Sequence, residues 1–225
     1  MSNFIVFLNI ILIILPFVYG QNLFEVYKDM MLDQARRNKP LIDIEVFGES
    51  LCPDTTSFLR KQLWPAWTSL QGSNLINVTY HPFGLARCKR NEKTGIQCEC
   101  QHGPSECRLN MLQACVISAL QFPQLYLPIV YCMQGKRDFS AAIDECITNF
   151  VPRPDLDEVF MVRCSESQLG AKLMIEHGYR QYYVAPEIDW VPWVLINGRR
   201  SKEASRDLKD IICSYPQFSS YQYCE

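Results

Sequence analysis

The chain has 225 residues, of which 48% are apolar and 20% are charged, and its formal net charge is −2. This length allows one sizeable domain or two small ones. Because the charge is so close to zero, the chain lacks the excess of basic residues typical of nucleic-acid-binding proteins, and we expect no nucleic-acid partner.

The first twenty residues predict a secretory signal peptide. Residues 4–18 form an almost unbroken apolar run that is too short to cross a bilayer comfortably. Val18 and Gly20 place small residues at the usual positions before a cleavage site at Gln21, although the basic residues that normally precede such a run are missing. We therefore assign residues 1–20 to a signal peptide, with an uncleaved membrane anchor as the alternative. No later segment is long and apolar enough to predict a membrane span.

The cysteine content agrees with entry into the secretory pathway. Eleven cysteines in an oxidising compartment predict a framework of disulfides, and because eleven is odd at least one cysteine has no partner within the chain. Asn77 begins the sequon Asn77-Val78-Thr79, which predicts N-glycosylation at this asparagine. The cysteines are Cys52, Cys88, Cys98, Cys100, Cys107, Cys115, Cys132, Cys146, Cys164, Cys213 and Cys224.

The first part of the mature chain predicts a strand, a helix and a second strand. Residues 41–47 and 75–83 alternate apolar and polar side chains, which is typical of half-buried strands. Between them, an apolar stripe at helical spacing predicts a helix over residues 55–70, which Pro65 should kink or end. A strand–helix–strand unit of about 40 residues predicts that the two strands are parallel.

The middle of the chain predicts a helical insertion held by disulfides, over about residues 88–185. Residues 88–107 are polar and rich in cysteine, and seven of the eleven cysteines lie between Cys98 and Cys164. Apolar residues at helical spacing predict a series of short helices over residues 106–122, 125–133, 141–150, 156–163 and 169–178.

Strand character returns near the C-terminus. Residues 189–198 predict a strand that ends in the turn signal Asn197-Gly198, and residues 202–213 predict a helix. The order of elements fits an α/β chain with a thioredoxin-like fold, interrupted between its two halves by the helical insertion.

Cys52 lies in "VFGESLCPDT", directly after the first predicted strand and before the first predicted helix. Unpaired N–H groups and the dipole at a helix N-terminus favour the thiolate, which is the nucleophile in disulfide exchange. A two-cysteine redox site would have its resolving cysteine at Thr55. The hydroxyl of Thr55 could donate a hydrogen bond to the thiolate but cannot release a trapped substrate, whereas the charge of Asp54 opposes thiolate formation. The alternative is that Cys52 is one more disulfide partner, but its removal leaves ten cysteines, enough for five bridges.

Pro192 is the second element of the predicted site. In thioredoxin-like folds, a cis proline begins the strand that faces the reactive cysteine and shapes the substrate-binding edge. The sequence does not distinguish a cis from a trans Val191-Pro192 bond, and trans is the more frequent isomer at such bonds.

Residues 100–115, "CQHGPSECRLNMLQAC", identify a family. They resemble the signature of the gamma-interferon-inducible lysosomal thiol reductase family, and further similarity extends from the Cys52 segment to "VPWVLING". This resemblance implies a thioredoxin-like domain with an inserted helical region that reduces disulfides in acidic endolysosomal compartments or after secretion. Every fixed position of the signature is present, as Cys100, Gln101, His102, Gly103, Glu106, Cys107, Asn110 and Cys115.

The active site of the family is C-x-x-C, in which the first cysteine attacks and the second resolves. Cys52 matches the first position and Thr55 stands at the second. The resemblance therefore supports the fold, while the substitution at Thr55 puts the two-cysteine cycle in doubt.

The signature segment permits other interpretations. Cys88, Cys98, Cys100, His102 and Cys107 resemble a zinc-ligand set in composition, but their spacing and the oxidising compartment favour disulfides, and we expect no metal or cofactor. His102 could act as a general base. We favour a structural element in which polar signature residues, Glu106 and Asn110, satisfy backbone groups, and we expect the aromatic side chains of residues 179–193 to pack in the core or beside Cys52.

Taken together, these features predict one mature domain, residues 21–225, that is secreted or lysosomal and reduces protein disulfides through Cys52, with Pro192 seating the substrate. Its partners would be disulfide-containing proteins and a small-molecule thiol as reductant. The alternative is a secreted binding or chaperone-like module that kept the fold and lost turnover.

Overall fold

The computed structural model describes residues 42–149 and 156–225, so the predicted signal peptide lies outside the described residues. Its strands are β1 (Ile42–Gly48), β2 (Ile76–Pro82), β3 (Arg87–Asn91), β4 (Gly95–Glu99), β5 (Trp193–Ile196) and β6 (Arg199–Arg200). Four strands form the central sheet in the order β2-β1-β5-β6, and the other two form a separate hairpin. Strand β1 pairs in parallel with β2 and antiparallel with β5, which confirms the predicted parallel strand–helix–strand unit.

Helices predominate between the β3–β4 hairpin and β5, as the sequence predicts. The helices are α1 (Pro53–Phe58), α2 (Trp64–Leu70), α3 (Pro104–Leu120), α4 (Pro123–Met133), α5 (Phe139–Ile143), α6 (Glu158–Ser165), α7 (Gln168–Val184) and α8 (Ala204–Cys213). In the described part of the chain, none of them is both long enough and apolar enough to cross a bilayer.

Helices α1 and α2 form one continuous helical run that includes Pro65. A π-helical turn, Leu59–Leu63, joins them, and the N–H of Trp64 bonds to the carbonyl of Leu59, five residues back. Proline has no N–H to donate, and this wider turn lies just before Pro65. Of the two predicted effects of Pro65, kinking or ending the helix, the ending is wrong, because the run continues to Leu70 with Pro65 in the first turn of α2.

Both faces of β1 are largely buried, unlike the half-buried strand that the alternation predicts, since Glu45 is 5% exposed and Phe47 is fully buried. Ile42, Ile44 and Val46 of β1 are fully buried. The apolar stripe of the α1–α2 run is buried as well, at Leu59, Leu63, Trp67 and Leu70. These two surfaces position the loop between β1 and α1, which carries Cys52.

The β3–β4 hairpin is not predicted by the sequence. It is an antiparallel pair whose Cys88 and Cys98 lie opposite each other and form a disulfide. Only Ile96 among its residues is a buried apolar side chain, so the segment lacks the alternation that marks the strands of the central sheet.

Five disulfides pair ten of the eleven cysteines, and Cys52 is free. The predicted framework and the unpaired Cys52 are both confirmed. Two bridges close short loops around the hairpin and the signature, and the others tie helices and the C-terminus. The pairs are Cys88–Cys98, Cys100–Cys107, Cys115–Cys164, Cys132–Cys146 and Cys213–Cys224.

Trp193 packs in the core, as expected for the aromatic side chains of residues 179–193, whereas the tyrosines near the end of α7 are exposed. Tyr179, Tyr182 and Tyr183 are 65%, 77% and 82% exposed, respectively. The inner face of α7 is instead formed by residues at helical spacing that include Met174 and Gly178. Because the tyrosines do not fall on that face, they lie in solvent.

Candidate active site

Cys52 is held between the helix that follows it and the strand that faces it. It is the N-cap of α1, where its Sγ accepts a hydrogen bond from the N–H of Thr55 at 3.5 Å. The thiol in turn donates to the carbonyl of Val191, with 3.7 Å between sulfur and oxygen. Cys52 is only 7% exposed.

The sheet register brings Pro192 to Cys52. Trp193 of β5 pairs with Phe47 of β1, so the residues before β5 lie beside the loop that follows β1. The Val191-Pro192 bond is cis, unlike the more frequent isomer. Cys52 and Pro192 are thus brought together as the sequence predicts, although they are 140 residues apart.

Thr55 occupies the inner side of the site. It is fully buried, and its Oγ1 has no hydrogen-bond partner among the described residues. Its methyl group packs against Gly48, where an added Cβ would lie 2.6 Å from that methyl and 2.9 Å from the Tyr80 hydroxyl. Gly48 therefore leaves the room that Thr55 and Tyr80 occupy behind Cys52.

The signature residues hold the loop before Cys52. The N–H of Ser50 donates to Asn110 Oδ1 at 2.9 Å, and the N–H of Leu51 donates to Glu106 Oε2 at 3.3 Å. The Ser50 hydroxyl also donates to the Glu106 carbonyl at 3.3 Å. Helix α3 thus supplies side-chain acceptors to two successive backbone N–H groups, the structural role that the sequence favours for Glu106 and Asn110.

Gly103 allows helix α3 to begin where it does. It is the N-cap of α3 with φ of 89°, a left-handed conformation that glycine adopts without steric cost. Cys100 and Cys107 fix the same turn through their disulfide, and Cys115 anchors the far half of α3. Gln101 is exposed, and its side chain makes no hydrogen bond to the described residues.

Glu49, His102 and Glu106 form an acidic cluster at the base of this loop. His102 Nδ1 lies 2.6 Å from Glu106 Oε2 and 3.4 Å from Glu49 Oε2, while both glutamates are fully buried. Burial raises the pKa of Glu49 to about 7, and the Glu106 charge adds to this effect, although a hydrogen bond from the Leu85 N–H opposes it. A ring nitrogen of His102 and one carboxylate oxygen from each glutamate lie within 4.8 Å of one another, so the cluster has the donor set of a cation site.

Gln134 connects the loop to the core. Its Nε2 donates to the Glu49 carbonyl at 2.7 Å, and its Oε1 accepts from Gln113 at 3.3 Å and from the Tyr80 hydroxyl at 3.5 Å. The N–H of Gly135 donates to the Ser50 carbonyl at 2.8 Å. Sequence reasoning missed Glu49, Tyr80 and Gln134, because no local motif marks a partner that lies more than fifty residues away.

Replacing Glu49 by glutamine should flatten the pH dependence of stability. A carboxyl whose pKa rises from 4.5 in the unfolded chain to about 7 in the folded one stabilises the fold below pH 4.5, and this stabilisation is lost as pH rises through 7. We expect wild type to lose about 2 kcal/mol more than Glu49→Gln between pH 5 and pH 7.5, measured by denaturant unfolding. Glu92→Gln, at an exposed hairpin position, is the matched control. Equal pH slopes for wild type and Glu49→Gln would contradict the assignment.

The cysteines that resemble a zinc-ligand set are bonded to one another. Two disulfides, Cys88–Cys98 and Cys100–Cys107, hold these sulfurs, which therefore cannot bind zinc as thiolates, and this removes the zinc interpretation of the set.

Asn77 lies on β2 at the edge of the sheet, and its Nδ2 donates to Asp43 Oδ1 at 2.8 Å. Its glycosylation stays a prediction.

Two histidines, for which the sequence indicates no partners, form a polar cluster of their own. His81 Nδ1 lies 2.9 Å from His177 Nδ1, and His81 Nε2 lies 3.0 Å from Glu45. Glu45 also accepts two hydrogen bonds from Arg180. Burial opposes ionisation of Glu45, but the hydrogen bonds from His81 and Arg180 outweigh it and lower its pKa to about 2.

Comparison with known proteins places this site in context. A family model described as gamma interferon inducible lysosomal thiol reductase (GILT) matches residues 43–150. A GILT-like protein of Caenorhabditis briggsae is 39% identical over 199 residues, which cover 88% of this chain and 89% of that protein. The gamma-interferon-inducible lysosomal thiol reductase of Mus musculus is 32% identical over 178 residues, which cover 79% and 69% of the two chains.

Among solved structures, Chlamydia trachomatis DsbA is similar with a TM-score of 0.54 and 11% identity, over 79% of this chain and 90% of that one. This similarity supports the fold alone. The predicted α/β architecture with a thioredoxin-like fold is confirmed.

Proposed function

The chain belongs to the gamma-interferon-inducible lysosomal thiol reductase family, and we propose that it reduces protein disulfides through Cys52 as its single nucleophile. One observation carries this proposal: the only free cysteine of the chain lies at a helix N-terminus beside a cis proline. The family supports a thiol oxidoreductase kind of function.

The reaction needs an external thiol because Thr55 cannot resolve a mixed disulfide. The Cys52 thiolate attacks one sulfur of the substrate disulfide, forms a bond to it and expels the other sulfur as a thiolate, which takes up a proton. A small-molecule thiol then attacks the mixed disulfide at Cys52 and releases the second substrate thiol. A further small-molecule thiol frees Cys52, so two small thiols are oxidised to one disulfide for each substrate disulfide reduced.

Neighbouring groups have separate roles in this cycle. The N–H of Thr55 already contacts Sγ, whereas the Thr55 hydroxyl makes no hydrogen bond to Sγ or to any other described atom. Pro192 seats the substrate backbone, while the loop residues held by Glu106 and Asn110 fix the position of Cys52. Five disulfides and the predicted signal peptide favour the secretory route, and the name of the mouse relative favours an endolysosomal destination.

Alkylation of the native protein tests this proposal. Iodoacetamide should add one group, at Cys52, and the labelled protein should lose its ability to reduce insulin in the presence of a small thiol. Without added thiol, unlabelled protein should cleave no more than one disulfide per molecule.

Two results would contradict the proposal. The first is a Cys52 that resists labelling in the native protein but labels after reduction and unfolding. The second is labelling at Cys52 with no insulin reduction above that of the small thiol alone, which would favour a binding or chaperone-like module on the same fold.

A further inference from the structure

A groove of about 540 Å³ begins beside Cys52. Asp54, two residues after Cys52, lines it, and so does Pro192, which follows the Val191 carbonyl that contacts Sγ. Phe58 and Trp190 add apolar surface. Cys52 itself does not line the cleft, but Asp54 and Pro192 do, so a cleft with both apolar and polar walls opens next to the loop that carries the proposed reactive sulfur.

The rest of the groove is cationic. Lys61, Lys202 and Arg206 line it and are exposed, against the single acidic side chain of Asp54 near the thiol. None of these three cations makes an ion pair with another described residue. Their charge is thus available to a ligand that occupies the groove.

The distance between Cys52 and Lys61 determines which position of a bound peptide would contact the lysine. Lys61 is nine residues after Cys52 in the continuous helical run, which places it about 13 Å along the helix axis at 1.5 Å per residue. An extended peptide advances about 3.3 Å per residue, so 13 Å corresponds to about four residues. Because the lysine side chain can reach back toward the thiol, a carboxylate three or four residues from the attacked cysteine would meet it.

We propose that this groove binds the polypeptide next to the substrate disulfide and selects substrates with an acidic side chain three or four residues from the attacked cysteine. The proposal rests on the disulfide-reductase function proposed above and specifies its substrate class. An acidic residue immediately beside the cysteine is disfavoured, because it would face Asp54.

Single-turnover kinetics test the selection without any reductant. Peptides with one cysteine, held as a mixed disulfide with thionitrobenzoate, release coloured thionitrobenzoate when Cys52 attacks the peptide sulfur. Matched peptides carry glutamate, glutamine or lysine three or four residues before or after the cysteine. At low ionic strength, the better-placed glutamate peptide should react about five to ten times faster than its lysine counterpart, and salt should reduce this ratio.

Charge reversal in the groove provides the decisive comparison. Lys61→Glu combined with Arg206→Glu should abolish or invert the glutamate-to-lysine ratio, with each rate expressed relative to the glutamine peptide on the same variant. Lys89→Glu, which reverses an exposed lysine on β3, should leave the ratio unchanged. Equal rates for all three peptides, or a ratio that survives charge reversal in the groove, would overturn the proposal.

Two further outcomes are distinguishable. If charge reversal alters only the rate at which an anionic small thiol such as mercaptosuccinate releases Cys52, the groove serves the reductant and the peptide proposal fails. If no peptide reacts with Cys52, the proposed reductase function fails. The groove is then tested by the binding affinities of the same peptides with alanine in place of cysteine. A glutamate preference in that binding supports the groove, whereas its absence overturns it.

Discussion

Replacing Thr55 by cysteine is expected to raise the steady-state rate of insulin reduction at least about tenfold at ~1 mM small thiol. The reason is that resolution of the mixed disulfide becomes intramolecular, and well-oriented intramolecular reactions have effective concentrations far above millimolar. Thr55 is suited to this change because its N–H already lies against Cys52 Sγ and its hydroxyl has no partner to lose among the described residues.

The rate should also depend less on the concentration of the small thiol, because the thiol then reduces a bridge instead of releasing each substrate. Thr55→Val is the matched control: it keeps the shape of threonine, removes the hydroxyl and supplies no sulfur, so it should show no gain. A folded Thr55→Cys protein with unchanged activity would show that the site has lost more than its second cysteine, and would favour the binding-module alternative.

Removing the Cys115–Cys164 disulfide should have the largest effect on stability. This bridge ties α3 to α6 across a separation of 49 residues, the longest of the five. A crosslink of that length restricts the unfolded chain by about 4 kcal/mol in the chain-entropy account. Denaturant unfolding of the Cys115→Ala, Cys164→Ala double variant should show a loss of about this size in the free energy of unfolding.

The Cys213–Cys224 bridge, with a separation of 11 residues, supplies the comparison. Its replacement by two alanines should cost about 3 kcal/mol, since a shorter loop restricts the unfolded chain less. If the shorter bridge proves the more stabilising, the entropic account of this framework is wrong, and native contacts at the C-terminus would be the better explanation.

The parts of the fold that the sequence predicts are those with strong apolar periodicity. Strands β1 and β2 alternate apolar and polar side chains in sequence, although β1 is buried on both faces, and α3 and α7 carry apolar residues at helical spacing. The β3–β4 hairpin escaped prediction because a disulfide and turn geometry stabilise it more than buried side chains do. The exposed tyrosines of α7 depart from the prediction because aromatic side chains are buried only on the face of a helix that packs against the core, and these three lie off that face.

The candidate site also contains both residues that the sequence identifies and residues that it does not. Cys52, Thr55 and Pro192 could be identified because a strand, a helix start and a family signature point to them. Glu49 could not, because the property that distinguishes it, a buried carboxyl beside Glu106 and His102, depends on a turn that is more than fifty residues away in sequence. Likewise, the cationic groove unites the α1–α2 run with the N-terminus of α8, and no local pattern joins these segments.

The pairing of the cysteines has a consequence for stoichiometry. With ten cysteine sulfurs held in internal bridges, the chain has one thiol that can form a disulfide with another molecule. Oxidation can therefore join it to one small thiol, one substrate or one second copy of itself, but cannot extend further. If Cys52 attacks protein disulfides as proposed, each copy of the chain joins one substrate sulfur at a time and cannot crosslink substrates into a polymer.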